Sequence, residues 1–152
     1  MSSRSRPAAL TAGRAPADNA VSAMPVVYKI EKAKGLIRTR CYGPVTLADV
    51  AEHFRELVRD PDCPRRLNVL LDLRDVTSLP TDSQLRAVAE EIQRIRDTVV
   101  FGACAIVAAT DALFGTAEVF EVFAAPGFRA SKVFRGSADA EAWLAVQEPW
   151  KD

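Results

Sequence analysis

Two short, almost unbroken apolar runs constrain this chain more than any other feature: Leu67-Asn68-Val69-Leu70-Leu71-Asp72-Leu73, and Val99 to Ala108, VVFGACAIVA. Apolar runs of this length are the pattern of strands covered on both faces, as in a parallel sheet. A helical stretch lies between them. Thr81 and Gln84 make a capping-box pair, and Leu85, Val88, Ile92 and Ile95 recur at helical spacing to near Asp97. Strand, helix and strand in that order predict parallel strands joined by a right-handed crossover.

The same alternation extends in both directions. Upstream, Val26 to Ile30 and Leu36 to Tyr42 alternate on either side of a turn at Lys32-Ala33-Lys34-Gly35, which predicts a hairpin ended by Gly43-Pro44. Thr46 and Asp49 then cap a first helix carrying Leu47, Val50, Phe54, Leu57 and Val58, stopped by Asp60-Pro61. Downstream, Thr110 caps a third helix reaching about Ala125, ahead of Pro126-Gly127. A last strand at Ser131 to Arg135 precedes a closing helix that Ser137 is expected to cap. The predicted fold is α/β: an N-terminal β-hairpin, then four β-α units, making a mixed, mostly parallel five-stranded sheet with helices.

A length of 152 residues with 49% apolar content suits one domain. Residues 1–24 are rich in Ala, Ser, Arg and Pro and carry no periodicity, so a disordered tail is expected there and the folded domain over 25–152. Met24 directly precedes the first patterned segment and is an expected alternative translation start. Twenty basic and twenty acidic residues cancel, so the chain lacks the positive footprint of a general nucleic-acid binder. No apolar run approaches the roughly 18 residues that span a bilayer, so membrane insertion is not expected. Cys41, Cys63 and Cys104 are odd in number and widely spaced, which argues for reduced thiols in a cytoplasmic protein rather than a disulfide framework or zinc site. Cys41 and Cys104 fall in strands and should be buried, whereas Cys63, between prolines, should be exposed, with Arg65 and Arg66 placed to lower its pKa.

Catalytic groups are scarce. His53 is the single histidine, and beside Asp49 and Glu52 it is expected on the solvated face of the first helix. Asp72, at the end of a buried strand, is the one acid near the edge where α/β sheets bind ligands, and it also has Arg74 within reach as a partner. An enzyme would have to join Asp72 to Thr81 in one pocket. No Gly-rich phosphate loop is present, and no cofactor is expected.

The stretch Val69-Leu70-Leu71-Asp72-Leu73-Arg74-Asp75-Val76-Thr77-Ser78-Leu79-Pro80-Thr81-Asp82 resembles the central motif of STAS domains, the fold of sulfate-transporter tails and anti-sigma-factor antagonists. Architecture extends the resemblance over about residues 25–147. The aromatic-rich third helix and the segment Ala138-Asp139-Ala140-Glu141-Ala142-Trp143-Leu144 are more similar to uncharacterised bacterial STAS-like proteins, grouped near the CRAL-TRIO lipid-transfer fold. The resemblance implies a regulatory module. In the antagonist branch a hydroxyl residue after this strand is phosphorylated, and laid without gaps that residue is Thr81, with Ser78 and Ser83 as weaker candidates. Pro80 stands where the branch has an acidic residue, and Asp82-Ser83 where it has a small pair. Thr81 also reads simply as an N-cap paired with Gln84.

On the third helix, Leu113, Phe114, Ala117, Val119, Phe120, Val122, Phe123 and Ala124 leave only a narrow polar strip. That is more apolar surface than one sheet-facing stripe requires. Phe114 is expected near Glu118 and Glu121, away from the densest apolar face, and Phe128 follows in the next loop. The sequence therefore leads to a non-enzymatic regulatory or scaffold domain acting by protein–protein contact, as a homodimer through this helix and the loop after Asp72. The alternative is a small carrier or sensor holding an apolar or lipid-like ligand under the third helix. Candidate ligand or interface residues are Asp72, Phe114, Phe120, Phe123 and Phe128.

Overall fold

The computed structural model describes residues 25–147. The expected tail at 1–24, the alternative start at Met24 and the last five residues of the expected domain lie outside the described residues. The elements run β1 (Val26–Glu31), β2 (Leu36–Gly43), α1 (Leu47–Arg59), β3 (Arg66–Val76), α2 (Asp82–Arg94), β4 (Val100–Val107), α3 (Asp111–Ala124), β5 (Ala130–Phe134) and α4 (Ser137–Ala145). The hairpin turn is a single 3-10 turn closed by Gly35, whose φ of 59° lies in the left-handed region that glycine enters without a Cβ clash.

The five strands form one sheet in chain order, with β1 antiparallel to β2 and the remaining neighbours parallel. The α/β arrangement expected from the strand-helix alternation is the one observed. Each crossover moves one strand along in the same direction, so right-handed connections put α1, α2 and α3 side by side on one face. α4, arriving after the last strand, covers the other face over β3, β4 and β5.

Strand alternation divides the core accordingly. Ile37, Leu67, Val69, Cys104, Ile106 and Val133 face the three-helix layer and form the larger cluster with Phe54, Leu57, Leu85, Ile92 and Phe120. Leu36, Leu70, Ala105 and Val107 face α4 and pack with Ala140, Phe134, Trp143 and Leu144. Because α4 does not reach the hairpin, the outer face of β1 and β2 carries Val27, Lys29, Arg38 and Arg40, and β3 is polar there at Asp72 and Arg74 rather than apolar on both faces along its whole length. Arg38 bridges this edge by bonding Glu31 on β1 and Glu141 on α4.

The caps of α1 and α2 are reciprocal boxes, Thr46 with Asp49 and Thr81 with Gln84, and Thr110 accepts from the Leu113 amide. The closing helix departs from expectation. Its N-cap is Gly136 with no side-chain bond, and Ser137 is already helical. Gly136 has no side chain to accept from the first-turn amides, and the Ser137 hydroxyl one residue later lies inside the first turn.

Candidate functional site

Between the sheet and the three-helix layer lies a cavity of about 180 Å³. Its sheet side is Ile37, Val69, Leu71 and Ile106; its helix side is His53 and Phe54 of α1, Leu85 and Val88 of α2, and Ala117 and Phe120 of α3. The residues that build it are those the alternation places inward: every second residue of β2 and β3, and the apolar stripes of the helices. Toward the C-terminal ends of β2 and β3 it is bounded by Val45, Thr46, Leu47, Val76, Ser78 and Pro80. Of all its lining residues only Thr46 and Leu47 are exposed, which locates the opening at the first turn of α1. This is the edge at which open α/β sheets bind ligands.

The wall contains no Asp, Glu, Lys or Arg. Its distinctive polar group is His53, which is only 8% exposed and whose Nδ1 is buried with no hydrogen-bond partner. Tyr28 from β1 meets the imidazole edge-on, ring centroids 5.2 Å apart, and Phe54 lies at 5.3 Å. Burial holds the imidazole pKa down to about 4, so the ring is neutral at pH 7. The Tyr28 hydroxyl donates to Asp60 at 2.8 Å, and burial followed by that carboxylate pushes its pKa well above the usual phenol value.

This overturns the solvated position expected for His53. At about 100° per residue, His53 falls roughly 40° from Leu57 and 60° from Val50, within the apolar arc rather than opposite it. The hairpin then widens the sheet beneath α1, and Tyr28 covers that flank. The signal was present in the helical spacing; the adjacent charges of Glu52 and Asp49 obscured it.

Other expected site residues separate into three groups. Phe120 and Phe128 line the cavity, and Phe128 packs on Phe101 at 5.9 Å. Phe114 and Phe123 do not line it. Each is half-buried beneath a guanidinium, Arg135 at 4.3 Å from the Phe114 ring and Arg86 at 4.5 Å from Phe123, and Arg135 also pairs with Asp111. The uncovered apolar side chains of α3 are Val119 and Val122, the latter 72% exposed.

Asp72 lies on the opposite face of the sheet, in a shallow groove with Lys29, Arg38 and Arg40. It accepts from the Arg74 amide at 3.0 Å and pairs with the Arg74 guanidinium at 2.7 Å. Burial alone would raise its pKa, but the bonds and charge of Arg74, aided by Arg40, outweigh this and hold it below the usual carboxylate range. Thr81 is exposed beside Pro80 and Gln84 on the cavity side, with its hydroxyl accepting from the Gln84 amide at 3.2 Å. The sheet thus stands between Asp72 and the cavity, and neither the cavity nor the groove joins Asp72 to Thr81.

The thiols follow burial. Cys41 and Cys104 are buried and line the cavity; the Cys41 pKa is pushed up to about 12 and that of Cys104 further still, chiefly by desolvation. Cys63 corrects the expectation twice. It is half-buried rather than exposed, and its pKa is raised, first by burial and then by the Asp60 charge, so Arg65 and Arg66 do not activate it. Arg65 instead donates to the Asp97 carbonyl at 2.6 Å.

No group of three or more potential metal ligands occurs among the described residues, and no helix there is long and apolar enough to cross a membrane. No protein-family model matches the chain, and no curated protein matches it either.

Proposed function

We propose that this domain is a non-enzymatic carrier or sensor that holds a small apolar molecule between its sheet and its three-helix layer. The observation that carries this reading is the cavity itself: about 180 Å³, uncharged, opening at the carboxyl edge of the strands. An apolar cavity of about 150 Å³ stays dry and takes up benzene, so a void of this kind is a ready binding site. An unfilled cavity also costs stability, of the order of 24 cal/mol per Å³. A bound apolar molecule would recover the contacts its walls lack.

The test is native mass spectrometry of the full chain purified from the cells that make it. An adduct of small mass on each folded chain, lost on denaturation, supports the reading. A bare chain that also fails to take up added ethylbenzene removes it.

A second reading, a regulatory module assembling through α3, is favoured by one observation: Val119 and Val122 are the uncovered apolar side chains of that helix. Phe114 contributes less than expected, because Arg135 covers it. The STAS-like resemblance supports this reading, with Thr81 as the modified residue. Light scattering on Val122→Glu tests it. A native dimer that becomes a monomer is the expected result, and a mass unchanged by the substitution is the contrary one.

A further inference from the structure

We infer that the cavity takes a small amphiphile tail first. A hydrocarbon part the size of a single ring or a medium-length chain lies inside, and its one polar end stays in solvent at the opening beside Thr46 and Leu47. The inference rests on the binding function proposed above and adds where the ligand's polar group sits.

Three observations converge on it. First, hydrocarbon makes up nearly all of the surface that the wall presents, although Thr39, His53 and Thr116 belong to it. Thr39 and His53 are buried, and Nδ1 of His53 is closed off from any occupant. The thiols of Cys41 and Cys104 are held protonated by burial and are weak hydrogen-bonding groups. A polar group pushed inside would lose its water without gaining a partner.

Second, the polar side chains toward the carboxyl edge are engaged by backbone amides. The Ser78 hydroxyl accepts from Val45 at 3.1 Å, the Thr46 hydroxyl from Asp49 at 3.1 Å, and the Gln84 carboxamide oxygen from Thr81 at 2.9 Å. They form a rim that needs no ligand atom, next to the exposed Thr46 and Leu47, where a head group keeps its water.

Third, the opposite end is closed. Phe101, at the amino end of β4, packs on Phe54 with centroids 6.5 Å apart and on Phe128 at 5.9 Å; all three line the cavity and none is exposed. A molecule with a polar group at each end therefore buries one of them. The volume of about 180 Å³, close to that of a cavity that takes benzene, limits the buried part to one ring or one chain.

Isothermal titration of the full chain with ethylbenzene, 2-phenylethanol and tyrosol provides the test, since these carry no hydroxyl, one at one end, and one at each end. A hydroxyl that loses its water without a partner weakens binding about tenfold or more. The expected result is that 2-phenylethanol binds within tenfold of ethylbenzene, and tyrosol at least tenfold more weakly than 2-phenylethanol. If 2-phenylethanol binds tenfold or more below ethylbenzene, no polar end is left at the opening; the inference is wrong and the cavity function stands. If tyrosol binds within tenfold of 2-phenylethanol, a group deep in the wall, such as the hydroxyl of Thr39 or Thr116, receives the second hydroxyl, and the inference is again wrong. If none of the three binds, the cavity function falls with it. Every comparison uses the native chain.

Discussion

Tyr28 of β1 places its ring edge-on against the imidazole of His53 on α1, with centroids 5.2 Å apart at an interplanar angle of 63°. The contact helps bury His53, a residue of the cavity wall whose Nδ1 has no hydrogen-bond partner. Several consequences can be measured.

Stability should fall as pH drops from about 6.5 toward 4. The folded-state pKa of His53 is lowered to about 4 from 6.5. The unfolded chain therefore binds a proton across that window while the folded chain does not, and protonation favours unfolding. At about 1.4 kcal/mol per pH unit the full effect is roughly 3 kcal/mol. Carboxylates held low by arginine, such as Asp72 and Glu141, lose their contribution at lower pH. Urea titrations of the native chain and His53→Leu at pH 7 and pH 5 separate the two, since the variant should be nearly flat over that range.

Filling the cavity should abolish binding while leaving the fold intact. Ala117 lines the cavity from α3 and is buried, and leucine is a strong helix former. Ala117→Leu should weaken ethylbenzene binding at least tenfold. Its stability should change by no more than about 1 kcal/mol, because the added carbons enter existing space instead of displacing neighbours. Calorimetric binding together with urea denaturation reports both quantities.

Thr81→Ala should cost about 1 kcal/mol, the usual effect of losing an N-cap hydroxyl. The reciprocal bonds between Thr81 and Gln84 identify what is lost. A urea midpoint unchanged by the substitution would mean the cap contributes nothing to α2.

Thiol labelling of the native chain should be ordered by burial. Cys63 is half-buried and should react first, though slowly, whereas Cys41 and Cys104, more deeply buried and with thiol pKa values pushed up further, should react far more slowly. Mass spectrometry after timed alkylation at pH 8 reads the order directly. Labelling of Cys104 as fast as Cys63 would contradict the packing of β4.

The architecture was legible because its signals are local and redundant. The apolar runs of β3 and β4, the capping pairs of α1 and α2, and the glycine-closed hairpin turn each specify an element from its own residues. The site was only partly legible. Phe120 and Phe128 were identified as candidates and do line the cavity, but their role depends on space between layers, which no single segment encodes. Phe114 and Phe123 drew attention as surplus apolar surface, yet the guanidiniums that cover them come from β5's flank and from α2. Asp72 occupies the expected strand, but the alternation of β3 turns its side chain to the other face. His53 was misplaced because its charged neighbours on α1 outweighed its helical position, and because Tyr28, which buries it, lies on β1.

An isotope-filtered nuclear Overhauser experiment on the labelled full chain with ethylbenzene shows whether the molecule enters the space between sheet and helices. Contacts are expected from the ligand to methyl groups of Val69, Leu85 and Ile106 and to the ring of Phe120, all of which line the cavity. A saturated complex whose contacts are confined to the exposed side chains of α3, Val119 and Val122, would contradict it.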